Sequence, residues 1–246
     1  MDRTLALLEL GLALPTALAL VRIAAPYGRH ARAGWGPTLP ARLGWLLMES
    51  PASLWFLAVY LAGPARASPA PLALLALWQL HYLHRAFVYP LRMRPGGRMP
   101  VAVALLAVLF NLLNGFTNAR ATSGAAAHGG AWLGDPRFLA GAAVFLAGFA
   151  LNLWSDRALA RLRAPGETGH RVPRGGPFEW VSCPNYLGEV VEWAGWALAS
   201  WSLAGLAFAV YTAANLVPRA RSHHAWYRAR FPAYPPGRRA ILPFLL

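Results

Sequence analysis

Seven apolar blocks, Thr4–Val21, Leu43–Ala62, Ala70–Leu91, Pro100–Phe116, Phe138–Trp154, Tyr186–Trp201 and Leu203–Val217, alternate with arginine-bearing stretches along the chain. Blocks of about 17–20 residues have the length at which a helix crosses the hydrocarbon of a bilayer. Only a helix or a closed barrel satisfies its backbone there. With 57% hydrophobic and 13% charged residues, the 246-residue chain is too apolar for an ordinary soluble domain. The pattern predicts an all-α polytopic membrane protein: one domain over residues 1–246 with seven transmembrane helices.

The 23 basic residues are all arginine, and alanine, glycine and proline are abundant, as in proteins from GC-rich genomes. Assigning alternate interhelical segments to opposite sides places eighteen arginines on one face and four on the other, with Arg85 inside a span. The positive-inside rule then sets the N-terminus outside and the C-terminus in the cytoplasm. It also accounts for the formal charge of +14 without a nucleic-acid partner. The single cysteine, Cys183, excludes an intramolecular disulfide. Residues 1–21 resemble the core of a signal peptide but contain Pro15 and lack a clear cleavage site, so they are read as the first span.

Several spans carry groups that hydrocarbon does not tolerate without a reason. Glu49 lies in the second span just before Pro51, either facing the bundle interior as a functional acid or reaching into headgroups near a helix end. The third span ends in Gln79, His81, Tyr82, His84, Arg85 and Tyr89. At 3.6 residues per turn Gln79, Tyr82, Arg85 and Tyr89 share one face, which is expected to look onto a wet or ligand-filled cavity. Interface-belt tyrosines with a snorkelling arginine are the alternative. Asn111, Asn114 and Asn118 form a stripe on the fourth span, and such asparagines more often join helices than touch ligand.

Between the fifth and sixth spans, Asn152, Asp156, Arg157, Arg161 and Arg163 lead through Pro165-Gly166 to the corner Pro184-Asn185-Tyr186-Leu187-Gly188-Glu189. This surface suits a large anionic ligand. The tail from Val217 to Pro232, with Arg219, Arg221, His223, His224, Tyr227, Arg228 and Arg230, is amphipathic and reads as a membrane-surface helix or as a second cationic wall for phosphates. Residues 119–137 read as an exterior loop.

No G-x-G-x-x-G, P-loop, H-E-x-x-H or G-x-S-x-G sequence occurs, so Rossmann binding, Walker-type phosphate binding, zinc hydrolysis and a serine nucleophile have no candidate, and no metal is expected. What remains is an acid, Glu49, a phenol, Tyr82, and a basic, amide-rich cytoplasmic surface. Two neutral donors in an apolar cavity can polarise a carbonyl, as an enone requires if hydride is to add at its far carbon.

The run L-x-x-L-R-x-P-G-E-x-x-x-R-x-P-x-G-G-x-F-x-x-V-S-x-x-N-Y-x-G-E-x-x-E-W, followed by A-x-x-x-W-S, R-A-x-x-x-H-x-x-Y and a terminal A-I-L-P-F, resembles the steroid 5-alpha-reductase family from Asn152 to Phe244. His81-Tyr82-x-His84-Arg85-x-Phe87-Val88-Tyr89 resembles that family's third-span motif. The resemblance implies a seven-helix membrane reductase that uses NADPH to saturate the 4,5 double bond of a 3-oxo-4-ene steroid. Glu49 and Tyr82 would hold the ketone. Asn114, Asn152, Asp156, Arg163, His170, Asn185, Glu189, Arg219, His223 and Tyr227 match cofactor positions, with Arg85, Tyr89, Arg94, Arg171 and Glu192 as secondary ones. Met48 stands where the family has Gln, and His170 where it has Tyr. Residues 1–118 would form the substrate side and 138–246 the cofactor side of a monomer in a bacterial inner membrane, its cofactor site facing the cytoplasm and its partners an apolar enone and lipid.

Three alternatives share parts of this pattern. An enoyl thioester or polyprenal presents the same conjugated carbonyl; a membrane methyltransferase using S-adenosylmethionine shares the Pro-Asn-Tyr-x-Gly-Glu corner; and a lipid-binding protein without catalysis needs neither Glu49 nor Tyr82. The topology is tested directly. With cysteines introduced singly into 92–99, 119–137 and the tail of a Cys183→Ala background, an impermeant thiol reagent should label only 119–137 in intact cells, and labelling of the tail would overturn the orientation.

Overall fold

A computed structural model describes residues 2–162, 167 and 169–246. Each apolar block falls in a helical segment: α1 (Asp2–Arg22), α2 (Ala41–Leu61), α3 (Pro69–Leu83) continued through a π turn (His84–Val88) into the short α4 (Tyr89–Arg92), α5 (Val101–Ser123), α6 (Pro136–Arg161), α7 (Pro184–Ser200) and α8 (Leu203–Arg230). Of these, α1, α5 and α6 are long and apolar enough to cross a membrane. Leucines 7, 8 and 14 on α1 and 105, 106 and 109 on α5 point outward, as a lipid-facing belt requires.

Two boundaries, those of α5 and α8, differ from expectation, while α6 runs on from its apolar block into the polar surface as the sequence implies. Helix α5 runs on to Ser123, so its polar last turn belongs to the helix and not to an exterior loop. Within that turn the hydroxyls of Thr122 and Ser123 are satisfied by the carbonyls of Asn118 and Ala119, so both polar side chains can be buried there. Helix α6 continues beyond Trp154 to Arg161, and α8 carries straight through Pro218 to Arg230. The tail is therefore an extension of the last helix, not a separate surface helix. The Pro165-Gly166 turn lies outside the described residues.

Four glycines set the geometry of α6 against α7. Gly141 and Gly148 on α6 face Gly195 and Gly188 on α7, and a Cβ at any of them would collide with the opposite backbone; at Gly188 it would lie 2.6 Å from the Asn152 nitrogen. Two helices that meet backbone to backbone exchange dispersion and carbonyl contacts along their whole length, which in lipid replaces the hydrophobic drive. The seven-residue spacing keeps the seam on one side of each helix. As a result Asn152 and Asp156 stand directly against Asn185.

Elsewhere an aromatic core of Phe56, Trp78, Tyr82, Trp193, Trp196 and Phe208 joins α2, α3, α7 and α8. The Trp78 indole donates to the Ala52 carbonyl at 2.7 Å and so ties α3 to α2. A two-stranded antiparallel sheet, β1 (Thr38–Pro40) with β2 (Arg98–Pro100), ties together the starts of α2 and α5.

Overpacking this seam should be severe. Gly148→Leu is expected to cost about 3 kcal/mol or more and to abolish recovery of folded protein, whereas Gly11→Leu, with open space around it, should leave the thermal midpoint in detergent nearly unchanged.

Candidate active site

At the end of the bundle where α2 and α5 begin and α6 and α8 end, a cavity of about 900 Å³ opens. That is ample for a dinucleotide-sized ligand. Both halves of the chain line it: Tyr27, Arg29, His30, Trp45, Arg85, Tyr89 and the 92–99 segment from one, and Asp156, Arg157, His170, Asn185, Tyr186, Arg219, His223 and Tyr227 from the other.

The hub is Arg85, which the π turn presents. Pro90 has no amide proton and its ring crowds the carbonyl four residues back. The chain widens to relieve this, and the Tyr89 amide reaches back five residues to His84. The guanidinium lies 4.6 Å from the Trp45 ring centroid and 4.7 Å from that of Tyr89. It pairs with Asp156 at 3.5 Å and Glu189 at 3.7 Å. Asn185 bridges the set, donating to Asp156 Oδ1 at 3.2 Å while its carbonyl accepts from Asn152 Nδ2 at 3.0 Å. Asn152 and Glu189 therefore brace the wall without being among its lining residues.

A second cluster sits across the cavity. His223 joins His30 at 3.0 Å and the Tyr186 hydroxyl at 3.0 Å, and that hydroxyl accepts from Arg219 at 3.2 Å. Arg29 covers the Tyr227 ring at 4.6 Å. Its Nη1 is buried without a hydrogen-bond partner among the described residues. Gly28, at φ +61, makes the turn that brings Arg29 and His30 here. Desolvation, and then the charges of Arg29, Arg219 and His30, push the pKa of His223 down to about 2, so its imidazole is neutral. Burial likewise lowers His30 and raises the Cys183 thiol to about 12, which makes the thiol inert.

Glu49 and Tyr82 lie deeper. Tyr82 is 3% exposed and packs on Trp78 at 4.9 Å and on His81 at 4.8 Å. Beneath it His81 Nδ1 meets Glu192 Oε1 at 2.8 Å. Arg85, Glu189, His81 and Arg219 are the charges that act on Glu49, and Glu49 in turn acts on Tyr82. Among the described residues neither the Glu49 carboxyl nor the Tyr82 hydroxyl makes a hydrogen bond. Two strong hydrogen-bonding groups are thus left free beside a cationic cavity.

Other expectations fare differently. Gln79 faces no cavity; it clamps α3 to α2, accepting from Ser53 Oγ at 2.7 Å and donating to its carbonyl at 3.0 Å. Asn111 and Asn118 join helices, to the Met48 carbonyl and the Trp196 indole. Asn114 is fully buried beside Thr117 and Asn118 and is not among the cavity-lining residues. His170 lines the cavity and meets Trp226 edge-on, while Arg171 is exposed and pairs with Glu167. Arg163 lies outside the described residues. The turn at Tyr27-Gly28-Arg29-His30 was read only as part of the cytoplasmic charge count; a glycine before two adjacent basic residues was the available signal.

The family model described as 3-oxo-5-alpha-steroid 4-dehydrogenase matches residues 97–246. Steroid 5-alpha-reductase DET2 of Arabidopsis thaliana is 45% identical over 245 residues, covering 94% of this chain and 91% of its own length. 3-oxo-5-alpha-steroid 4-dehydrogenase 1 of Bos taurus is 46% identical over 246 residues, covering 98% and 96%. The Homo sapiens protein of that name is 44% identical over 221 residues, covering 89% and 85%.

The neutral His223 has a thermodynamic consequence. Its folded pKa lies below the unfolded value, so the unfolded chain binds the extra proton. Stability is complete above about pH 6.5 and falls as pH drops. Between pH 7 and pH 5 thermal unfolding should show a loss approaching about 2 kcal/mol from this site, and His223→Gln should flatten the profile.

Proposed function

The chain belongs to the 3-oxo-5-alpha-steroid 4-dehydrogenase family, and we propose from that premise that it reduces the 4,5 double bond of 3-oxo-4-ene steroids with NADPH. The observation that carries the reading is the pair of free hydrogen-bonding groups, Glu49 and Tyr82, set just beyond a cation-lined cavity.

The residues of the cavity fit a phosphorylated dinucleotide. Arg219, Arg29 and Arg157, which line the cavity, would meet its phosphates, and Arg163 is proposed for the same role; Arg171, exposed and paired with Glu167, would reach a phosphate only at the rim. Asp156, Asn185, His170, His223 and Tyr227 supply further polar contacts, with Asn152 and Glu189 holding them in place. NADPH, when bound, supplies hydride to the β carbon of the enone.

The remaining work falls to this chain's own side chains. As a carboxylic acid, Glu49 would donate to the carbonyl oxygen together with Tyr82, and the two would so stabilise the enolate charge that develops there. The α carbon then takes a proton from solvent. Arg85 stays cationic between Asp156 and Glu189 and keeps the cavity wall ordered as charge moves. The aromatic core around Trp78 and Trp193 excludes water from the reacting end. The arginine asymmetry supports a cavity open to the cytoplasm.

Purified protein given NADPH and, separately, a 3-oxo-4-ene steroid, an enoyl thioester and a polyprenal should yield the product two mass units heavier with the steroid; reduction of either other lipid in its place would reassign the substrate. Glu49→Gln, which keeps a donor, should retain measurable turnover. Glu49→Ala and Tyr82→Phe should lose about 10²–10³-fold while still binding NADPH, and wild-type rates in Glu49→Ala would make the acid structural. NADPH should be preferred over NADH, since each charge-assisted phosphate contact contributes about 1.5–3 kcal/mol. Arg163→Ala and Arg219→Ala should raise the KM for NADPH more than that for steroid, and equal KM values for the two cofactors in the wild type would remove the argument.

A further inference from the structure

One acid–base pair beside Tyr82 takes no part in holding the ketone or the cofactor. His81 of α3 is 3% exposed and Glu192 of α7 is fully buried, and His81 Nδ1 meets Glu192 Oε1 at 2.8 Å. Their chain neighbours Tyr82 and Trp193 meet as well, at 5.6 Å between ring centroids, so two adjacent residues of α3 face two of α7. One turn nearer the cavity, Arg85 and Glu189 join the same two helices at 3.7 Å. The His81 ring stands edge-on to Tyr82 at 4.8 Å and to Trp193 at 4.7 Å.

A bond made only to hold α3 against α7 needs no exchangeable proton. Gln79 with Ser53, Asn111 with the Met48 carbonyl and Asn118 with Trp196 tie helices in this bundle through neutral amides. An acid among membrane helices is costly where an amide would serve. The pair is also unsatisfied on both sides. Glu192 Oε2 is buried without a hydrogen-bond partner among the described residues. His81 Nε2 makes no hydrogen bond either, but unlike the Nε2 of His84 it is not sealed from the space around it. The Glu49 carboxyl and the Tyr82 hydroxyl share that condition, and Glu49 acts on His81 electrostatically. Three open, unbonded polar groups are thus grouped at the end where the ketone oxygen is held.

Enone reduction consumes one proton at the α carbon, two bonds from that oxygen, and the core around Trp78 and Trp193 keeps bulk water from this end. We propose that His81 and Glu192 relay the proton: His81 Nε2 gives its hydrogen to the α carbon of the enolate while Glu192 Oε1 gives its own to Nδ1. The enolate electron pair forms the new C–H bond, the Nε2–H and Oε1–H bonds break, and an Nδ1–H bond forms. The negative charge of the enolate ends on Glu192 as a carboxylate. The imidazole changes tautomer and is never charged, which avoids the cost of a buried cation. Hydride from NADPH at the β carbon completes the addition. A solvent proton restores Glu192 after the product leaves, so the hydrogen at the α carbon is of solvent origin. The relay rests on the enone-reductase reading and supplies the acid of its second half.

The test is Glu192→Gln, which keeps the volume and a donor to Nδ1 but has no proton to give. With NADPH and a 3-oxo-4-ene steroid, kcat of the full-length variant should fall about 10²-fold while the dissociation constant for NADPH stays that of the wild type. Protonation should become the slow step. The solvent deuterium isotope effect on kcat should therefore rise, and the effect of deuterium at the transferable position of NADPH should fall toward one. If that variant does not fold, His81→Asn, whose amide can still bond Glu192, is read by the same criteria. A kcat within twofold of wild type, or a lower kcat with both isotope effects unchanged, makes the pair a helix tie and overturns the relay. Loss of NADPH binding in both variants assigns the pair to folding and overturns it too. Reduction by the wild type with either of these results leaves the reductase reading standing; no reduction by the wild type removes that reading and the relay with it.

Discussion

The close contact between α6 and α7 is the constraint on which the site depends. Gly141 and Gly148 meet Gly195 and Gly188 with no side chain between the backbones. Only that separation lets Asn152 reach the Asn185 carbonyl and Asn185 reach Asp156. Asp156 and Glu189, one from each helix, then hold Arg85 between them. A methyl group at the seam would shift the helices by more than these hydrogen bonds tolerate, and the cavity would lose its shape before it lost its charge.

The second requirement is a π turn in the third membrane segment. Pro90 prevents the α-helix from closing normally, and the wider turn at His84–Val88 swings Arg85 toward Asp156 while leaving Tyr82 in the aromatic core. One residue is thereby directed to the cationic cavity and another, a turn earlier, to the apolar chamber. Electrostatics and packing are thereby separated along a single helix.

Much of this was legible in the sequence for physical reasons. Hydrocarbon tolerates few polar groups, so Glu49, Tyr82 and Arg85 stood out against their apolar surroundings, and proline and glycine marked the corner at Asn185. The less legible parts depend on pairing between distant segments. Gln79 looked like a cavity residue because its face was correct, but its partner, Ser53, lies on another helix. Arg29 and His30 were indistinguishable from ordinary cytoplasmic charge until His223, 193 positions after His30, came within 3.0 Å of it. Glu9 sits in a block that reads as a plain first span, and only the folded chain shows this acid buried against Thr117 of α5. The helix ends run past the apolar blocks because hydropathy reports where lipid stops, whereas a helix continues into polar sequence as long as its polar side chains find partners, as Thr122 does on the Asn118 carbonyl.

The central claim is that the basic cavity delivers reducing equivalents to an enone whose oxygen is held by Glu49 and Tyr82. It is tested most directly by supplying NADPH deuterated at the transferable position of the nicotinamide, together with a 3-oxo-4-ene steroid, and locating the label in the product by nuclear magnetic resonance. The account predicts one deuterium at the β carbon, hydrogen from solvent at the α carbon and an intact ketone. Deuterium at the carbonyl carbon of an alcohol product, or none in the steroid, would contradict it.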